Sequence, residues 1–531
     1  MRFAMRRFAR ALLATTALLA LASTAKAEPP ADIDATVQQL MANDGVPGMA
    51  VGIVEGGKTV LAKGYGVREL GKPAPVDART LFQIGSTTKA FTSAALALLE
   101  EQGKLGWDDR VVDHLPEFQM ADPYVTREFT LRDLLTHRSG LGLGAGDLTF
   151  MNHADFTRAE VVKALRWLKP QTSFRSQFAY DNVLYAVAGV VIERDSGRVW
   201  EDFVRDRLLR PIGMFDSTTD EAARYLSADR AQGHARLGPP FRGEGAQSVL
   251  DEKQGLGASV FPAGGIMSSA ADMSRWIAVQ LAHGQLADGK SRLWSEASAA
   301  EMWKPVTLIP PRSGPKPLAA PPPQFQEYAL GWFLWDYKGH KIIEHAGGTP
   351  GFLTEVVLIP EKNTGFVIMQ NSEDLAFKAL MYTLLDHYLD LPKTDWGKAY
   401  LDAGNLRKAA AKIALATAEK PARIVPQTLD AASLVGRYKD NWYGAMDVQS
   451  DQTGLVLTMG KTPGMHAVLK RINGDMYLAR WIDPAIEPAN VTFVAGEDGK
   501  VAHVTMKAAS PLADFSYDYQ DLDFTPAAPR P

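Results

Sequence analysis

At 531 residues the chain is long for one ordinary domain, and 46% hydrophobic against 22% charged residues gives it enough apolar surface for a substantial core. The formal net charge is −4 and moves to −9 once residues 1–27, with five basic and no acidic side chains, are set aside, which argues against a nucleic-acid or other polyanion partner. Cysteine is absent, which excludes disulfides, a thiol nucleophile and cysteine-held metal, and the ten histidines form no HxH or HExxH pair.

The chain opens with Arg2, Arg6, Arg7 and Arg10, then the apolar run Ala11 to Ala22, then the A-x-A pattern Ala25-Lys26-Ala27. That order predicts an export signal over 1–27, cleaved near Ala27, which would leave the mature protein in the periplasm or outside the cell. The apolar run is about half the ~20 residues a spanning helix needs, so no stable membrane anchor is expected. Arg6-Arg7 leaves both the general and the twin-arginine export routes open.

Gly48 to Val54 and Thr59 to Tyr65 read as two strands joined through Glu55-Gly56-Gly57-Lys58, a hairpin by turn chemistry. Next comes Gly85-Ser86-Thr87-Thr88-Lys89, followed by Phe91, Ala94, Ala95, Leu98 and Leu99 at helical spacing. Ser86 is thus placed at a helix N-terminus, with Lys89 nearly one turn on and on the same face. From there to about residue 300 the pattern is helical: Leu131 to Leu135, Arg158 to Trp167, Leu184 to Arg194, Glu201 to Leu209 and Met273 to Ala282.

Pro305 to Pro323 is too rich in proline for regular structure. Extended patterns return at Tyr328 to Trp335, Lys341 to His345, Phe352 to Ile359 and Gly365 to Gln370, and a helix follows from about Asp374 to Leu389. Two early and four late strands predict one antiparallel sheet built from both ends of a domain over 28–395, with the helical middle inserted beside it and a cleft where the two meet. Residues 396–428, helical around Leu406 to Ala418 and then proline-bearing, read as a linker. Seven short strands between Leu434 and Met506, punctuated by glycine, predict an all-β barrel or sandwich over 429–527.

A serine three residues before a lysine is a common pattern, and it recurs at Ser23 to Lys26 and Ser313 to Lys316. Neither copy has a helix to hold the pair in register. Two further patterns each occur once: Tyr180-Asp181-Asn182 is the sole Tyr-x-Asn, and His345-Ala346-Gly347 the sole His-x-Gly.

Taken in order, Ser86 to Lys89, Tyr180 to Asn182 and His345 to Gly347 resemble the three active-site motifs of the serine β-lactamase and penicillin-binding protein superfamily. The branch most resembled holds class C β-lactamases, D-stereospecific peptidases and esterases. Leu134 to Leu141, Pro211 to Met214, Gly264 to Ser269 and Gly348 to Phe352 resemble it as well, so the likeness runs over roughly residues 35 to 390. It implies an α/β (α+β) β-lactamase/DD-peptidase-like domain, followed here by a barrel-like (lipocalin-like) β domain for which a structural or assembly role is expected, including oligomerisation.

The resemblance also implies roles. Ser86 would be the nucleophile, Lys89 its base, and Tyr180 the group that shares the proton and passes it to the leaving group. Asn182, His345 and Gly347 would bind substrate, and the backbone N–H groups of Ser86 and Gly348 would form the oxyanion hole. Neither metal nor cofactor is called for. Asp181 and His137 are expected to be structural.

Many β-lactamases and transpeptidases carry lysine where this chain has His345, a fixed cation for a substrate carboxylate. Histidine resembles the peptidase and esterase members instead, and with a pKa near ~6.5 it would put an acid limb on activity between pH ~6 and ~7. The reading is therefore an exported serine hydrolase of D-amino-acid peptides, amides or small esters, its substrate a small molecule or short, cell-wall-derived peptide. A class C-like β-lactamase and a non-catalytic protein that binds cell-wall fragments are the alternatives.

Overall fold

The computed structural model describes residues 28–251, 255–311, 318, 322–418 and 424–527. The candidate leader 1–27, and the serine–lysine pairs at 23/26 and 313/316, lie outside the described residues.

Gly48–Glu55 and Lys58–Gly66 form the expected hairpin, turned by Gly56 and Gly57 at φ of 55° and 76°. A two-residue hairpin loop of this kind needs left-handed backbone at both positions, which glycine adopts without strain. Every residue of Gly48–Glu55 is buried, so this strand sits inside the sheet, with Thr364–Gln370 on its other side. The sheet runs Lys58–Gly66, Gly48–Glu55, Thr364–Gln370, Phe352–Ile359, His340–Thr349, Phe333–Tyr337, Gln326–Tyr328 and Thr307–Leu308, antiparallel throughout. Both ends of the catalytic region thus meet in one sheet.

Among the described residues six late strands replace the four expected. Tyr328 to Trp335 is broken by a turn in which Gly331 adopts φ 81°, and a Cβ on Gly331 would stand 2.9 Å from the backbone oxygen of Lys89. The strand breaks where it must pass the helix bearing Lys89. The sixth lies inside the proline-rich stretch: Thr307–Leu308 pairs with Gln326–Tyr328 because Val306 and Ile309, between the flanking prolines, still donate backbone N–H bonds to Tyr328 and Gln326.

One face of the sheet is covered by Ile33–Asp44 and Ala376–Tyr388. On these lies Trp396–Ala418, a single helix that starts ten residues before the expected helical stretch, with Trp396 and Tyr400 packed on Tyr382. The other face carries Ala270–Leu281 and the helical middle. Thr88–Glu101 runs through that middle and is buried continuously from Thr88 to Leu99, its Phe91 ring stacked at 3.8 Å on Trp276.

The C-terminal strands form a closed eight-stranded barrel. The strand absent from the sequence-based reading is Asp523–Pro526, which pairs with Gly436–Asp440 and Val501–Ala508 to shut it. Four residues ending in proline carry little strand signal, and closure, which removes both open edges, is what holds them. Among the described residues no helix is long and apolar enough to cross a membrane.

Candidate active site

Ser86 lies in a tight 3-10 turn, Gly85–Thr87, that runs directly into the helix Thr88–Glu101. Gly85 takes φ 50°, and a Cβ there would come within 2.7 Å of the Gly348 nitrogen. Gly347 is closer still: its Cβ would fall 1.9 Å from the Ile84 carbonyl oxygen and 3.0 Å from the Ser86 nitrogen. Two glycines therefore let the strand His340–Thr349 lie against the turn that carries Ser86, backbone on backbone. Gly348, next along that strand, is exposed.

Lys89 is fully buried. Its Nζ stands 3.0 Å from Ser86 Oγ, 2.7 Å from Asn182 Oδ1 and 3.3 Å from the Ala263 carbonyl oxygen. Burial drives its pKa down to about 7, against the pull of Asp147, which favours the ammonium. A neutral amine has two N–H groups and one lone pair. With the N–H groups committed to Asn182 and Ala263, the lone pair faces the Ser86 hydroxyl.

The Tyr180 hydroxyl faces Ser86, and burial holds its pKa well above the usual tyrosine value, so it stays protonated. Lys89 Nζ lies 4.6 Å from the Tyr180 ring centre. His137 packs on that ring at 4.2 Å and accepts the Asp181 N–H on Nδ1 at 3.0 Å, while its carbonyl accepts from Ala179. Buried and kept neutral, it grips the segment that presents Tyr180. Asp181 turns away from Lys89, accepts from Ser139 Oγ at 2.6 Å, and has its pKa raised by burial to about 8.

Asn182 occupies the N-cap position of the helix Val183–Ser196, but its side chain makes no cap bond. It bridges instead, accepting from Lys89 and donating from Nδ2 to Asp147 Oδ2 at 2.8 Å. His345 is buried, with Nδ1 2.6 Å from the Ala346 carbonyl oxygen and Nε2 2.9 Å from the Tyr328 hydroxyl. The carbonyl can only accept, so Nδ1 carries the proton and Tyr328 donates to Nε2. Burial, then the charge of Lys89, lowers the His345 pKa to about 3. The expectation that this histidine titrates between pH ~6 and ~7 is thereby corrected, because its ring is shut away from water.

A family model described as beta-lactamase matches residues 33–389, more than half of the chain. The chain belongs to the β-lactamase family. A second model, a domain of unknown function (DUF3471), matches residues 420–526. The chain is 30% identical over 440 residues to the unguisins hydrolase ungD' of Aspergillus campestris, covering 79% of this chain and 78% of that protein. It is 31% identical over 330 residues to penicillin-binding protein 4 of Amycolatopsis lactamdurans, covering 61% and 81%. Among solved structures, the octameric penicillin-binding protein homologue from Pyrococcus abyssi superposes with a TM-score of 0.58 at 20% identity, over 93% of this chain and 99% of that one. That likeness is one of fold. With these relatives, the chain is a β-lactamase-related serine hydrolase.

For this family member the sequence motifs brought five side chains to one place, and three more polar groups stand behind them unannounced. Asp147 sits in the turn Asp147–Thr149, with Asn182 on one side and Ser516 Oγ, 2.7 Å from its Oδ2, on the other. Asp518 accepts the N–H groups of Gly146 and Leu148 at 2.6 and 3.0 Å. Ser516 and Asp518 belong to the C-terminal region, far along the chain from all three motifs, and no local pattern marks any of the three.

Proposed function

We propose that the chain is an exported serine hydrolase that forms an acyl-enzyme on Ser86 and acts on D-amino-acid peptides, amides or small esters. The observation that carries this reading is the buried Lys89 amine, near neutrality, 3.0 Å from Ser86 Oγ. Ser86 Oγ attacks the substrate carbonyl as its proton passes to Lys89 Nζ. The carbonyl oxygen becomes an oxyanion facing the N–H groups of Ser86 and Gly348, where each such donor is worth about 3 kcal/mol. The tetrahedral intermediate collapses, and the leaving amine or alcohol takes its proton through the Tyr180 hydroxyl. Water then adds to the acyl-serine by the same steps reversed, releasing the acid and restoring Ser86.

Asn182 would hold both Lys89 and a substrate carbonyl. On the strand His340–Thr349, His345 is neutral and internally bonded, and so would offer no fixed charge to a substrate carboxylate. This favours amides and esters over carboxylated β-lactams. Export rests on the pattern of residues 1–27, and a mature N-terminus at Glu28 in the secreted protein tests it.

A fluorophosphonate probe should label wild type at Ser86 and fail to label Ser86→Ala, whose ester turnover should drop by roughly 10^4-fold or more. Turnover surviving in that variant would remove Ser86 from the chemistry. The family model and the penicillin-binding relative favour β-lactamase activity as a second reading. Nitrocefin turnover matching that of p-nitrophenyl esters and D-aminoacyl amides would put it first.

A further inference from the structure

The barrel reaches the nucleophile through a continuous chain of polar contacts. Ser516 Oγ donates to Asp147 Oδ2, Asn182 Nδ2 donates to the same oxygen, Asn182 Oδ1 accepts from Lys89 Nζ, and Nζ faces Ser86 Oγ. Asp147, Ser516 and Asp518 are all buried. Asp518 clamps the backbone on both sides of Asp147 by taking the N–H groups of Gly146 and Leu148. The same loop touches the other catalytic motif, since Gly144 donates its N–H to the Tyr180 carbonyl at 2.9 Å. A Cβ on Gly144 would meet the Phe515 carbonyl oxygen at 2.6 Å, and the Phe515 ring stands edge-on to Tyr180 at 6.0 Å.

An amide such as Asn182 has two faces, one accepting and one donating, and a turn about its last bond exchanges them. Lys89 needs the oxygen. The Asp147 carboxyl, taking the amide N–H₂, fixes that choice, and Ser516 fixes which oxygen of Asp147 is presented. With the wrong face forward, the two donors Asn182 Nδ2 and Lys89 Nζ would oppose each other and the lone pair of Lys89 would lose its aim at Ser86.

We infer that Asp147, oriented by Ser516 and Asp518 of the C-terminal barrel segment, is a positioning residue that sets the Asn182 amide and through it Lys89. The barrel thus completes the acyl-transfer site from behind. This rests on the acyl-enzyme reading above.

The test compares Ser516→Thr with Ser516→Val, two side chains of one shape of which only the first keeps the hydroxyl, using a p-nitrophenyl ester on the full mature chain. Ser516→Val is expected to lower kcat about 10-fold or more with KM within about twofold and to move the midpoint of the acid limb, while Ser516→Thr stays near wild type. In parallel, Asp147→Leu should lose at least as much as Ser516→Val, and Asp147→Asn, which still presents an oxygen to both donors, should recover most of it. Melting temperatures separate position from fold. If Ser516→Val and Asp147→Leu keep wild-type kcat and pH profile, whatever their stability, the inference is overturned. If the Ser516 pair proves too unstable to assay, the Asp147 pair decides alone. Turnover persisting in Ser86→Ala would instead sink the acyl-enzyme reading, and the two failures are distinct.

Discussion

In the proposed mechanism the chemistry turns on one amine whose charge is set by competition. Burial disfavours the Lys89 ammonium, Asp147 favours it, and burial wins to leave a pKa of about 7. The base form accumulates as pH rises through that value, so kcat/KM for a non-ionising ester should fall tenfold per unit below about pH 6. His345 is already neutral across that range, with a pKa of about 3, so His345→Gln should keep the limb where it is. A limb that vanished in that variant would return the titration to the histidine. Tyr180→Phe removes the hydroxyl that faces Ser86 and should lower kcat by roughly 10^2- to 10^3-fold with little change in KM, read from steady-state kinetics on esters of graded leaving-group pKa. At this scale the sequence was legible where function requires a fixed spacing: Ser86 and Lys89 are one turn apart, and Tyr180 and Asn182 flank a residue that points away. It was silent on Asp147, whose partners Asn182 and Ser516 are 35 and 369 positions distant, because a contact made by folding leaves no periodicity to read.

At the scale of elements, the site is the near-contact of one turn and one strand. Gly347→Ala would drive a methyl to within 1.9 Å of the Ile84 oxygen, so the strand must withdraw from the Ser86 turn. A displacement of about 1 Å there should cost on the order of 10^2-fold in kcat, with the barrel unaffected, as activity and far-UV circular dichroism together would reveal. Beneath the turn, Phe91 is fully buried on Trp276, and Phe91→Ala should cost about 3–5 kcal/mol in chemical denaturation. The apolar spacing of Phe91, Ala94, Ala95, Leu98 and Leu99 announced a helix with one buried face. In the fold that helix is buried on every side from Thr88 to Leu99, including Lys89, and periodicity understates such an element because its small and polar residues are buried as well. Strand breaks were less legible for a related reason. Gly331 interrupts Tyr328 to Trp335 on account of the Lys89 backbone beside it, a neighbour 242 positions away.

For the whole molecule, the question is how two bodies built separately along the chain come to share one site. Polar contacts cross their seam beside apolar ones such as the Phe156 and Tyr443 rings at 5.8 Å: Lys461 bonds the Asp155 carbonyl and Glu160, and Arg242 pairs with Glu373 while donating to the Ala485 carbonyl of the barrel region. Glu373 in turn accepts the N–H of Gly351, in the turn that follows Gly348, so the seam braces the strand that carries Gly348 as well as Asp147. Glu487 is buried at this seam, and its pKa is raised to about 7, by burial foremost, with Arg242 opposing and Glu373 and Asp514 adding to the rise. In the unfolded chain a glutamate titrates near ~4.3. The folded state therefore binds this proton more tightly. The stabilisation that follows is complete below pH ~4.3, is lost progressively as pH rises to about 7, and is absent above. Glu487→Gln keeps a neutral group of the same shape at every pH. Lys89, His137 and His345, whose pKa values are lowered, contribute slopes of opposite sign at their own pH, so the difference between the two proteins is the informative quantity. The stability of wild type relative to Glu487→Gln, measured by thermal melts from pH 4 to 8, should decline across that window and then level off. Parallel curves would mean that Glu487 titrates alike in the folded and unfolded chain, so that burial at the seam does not raise its pKa.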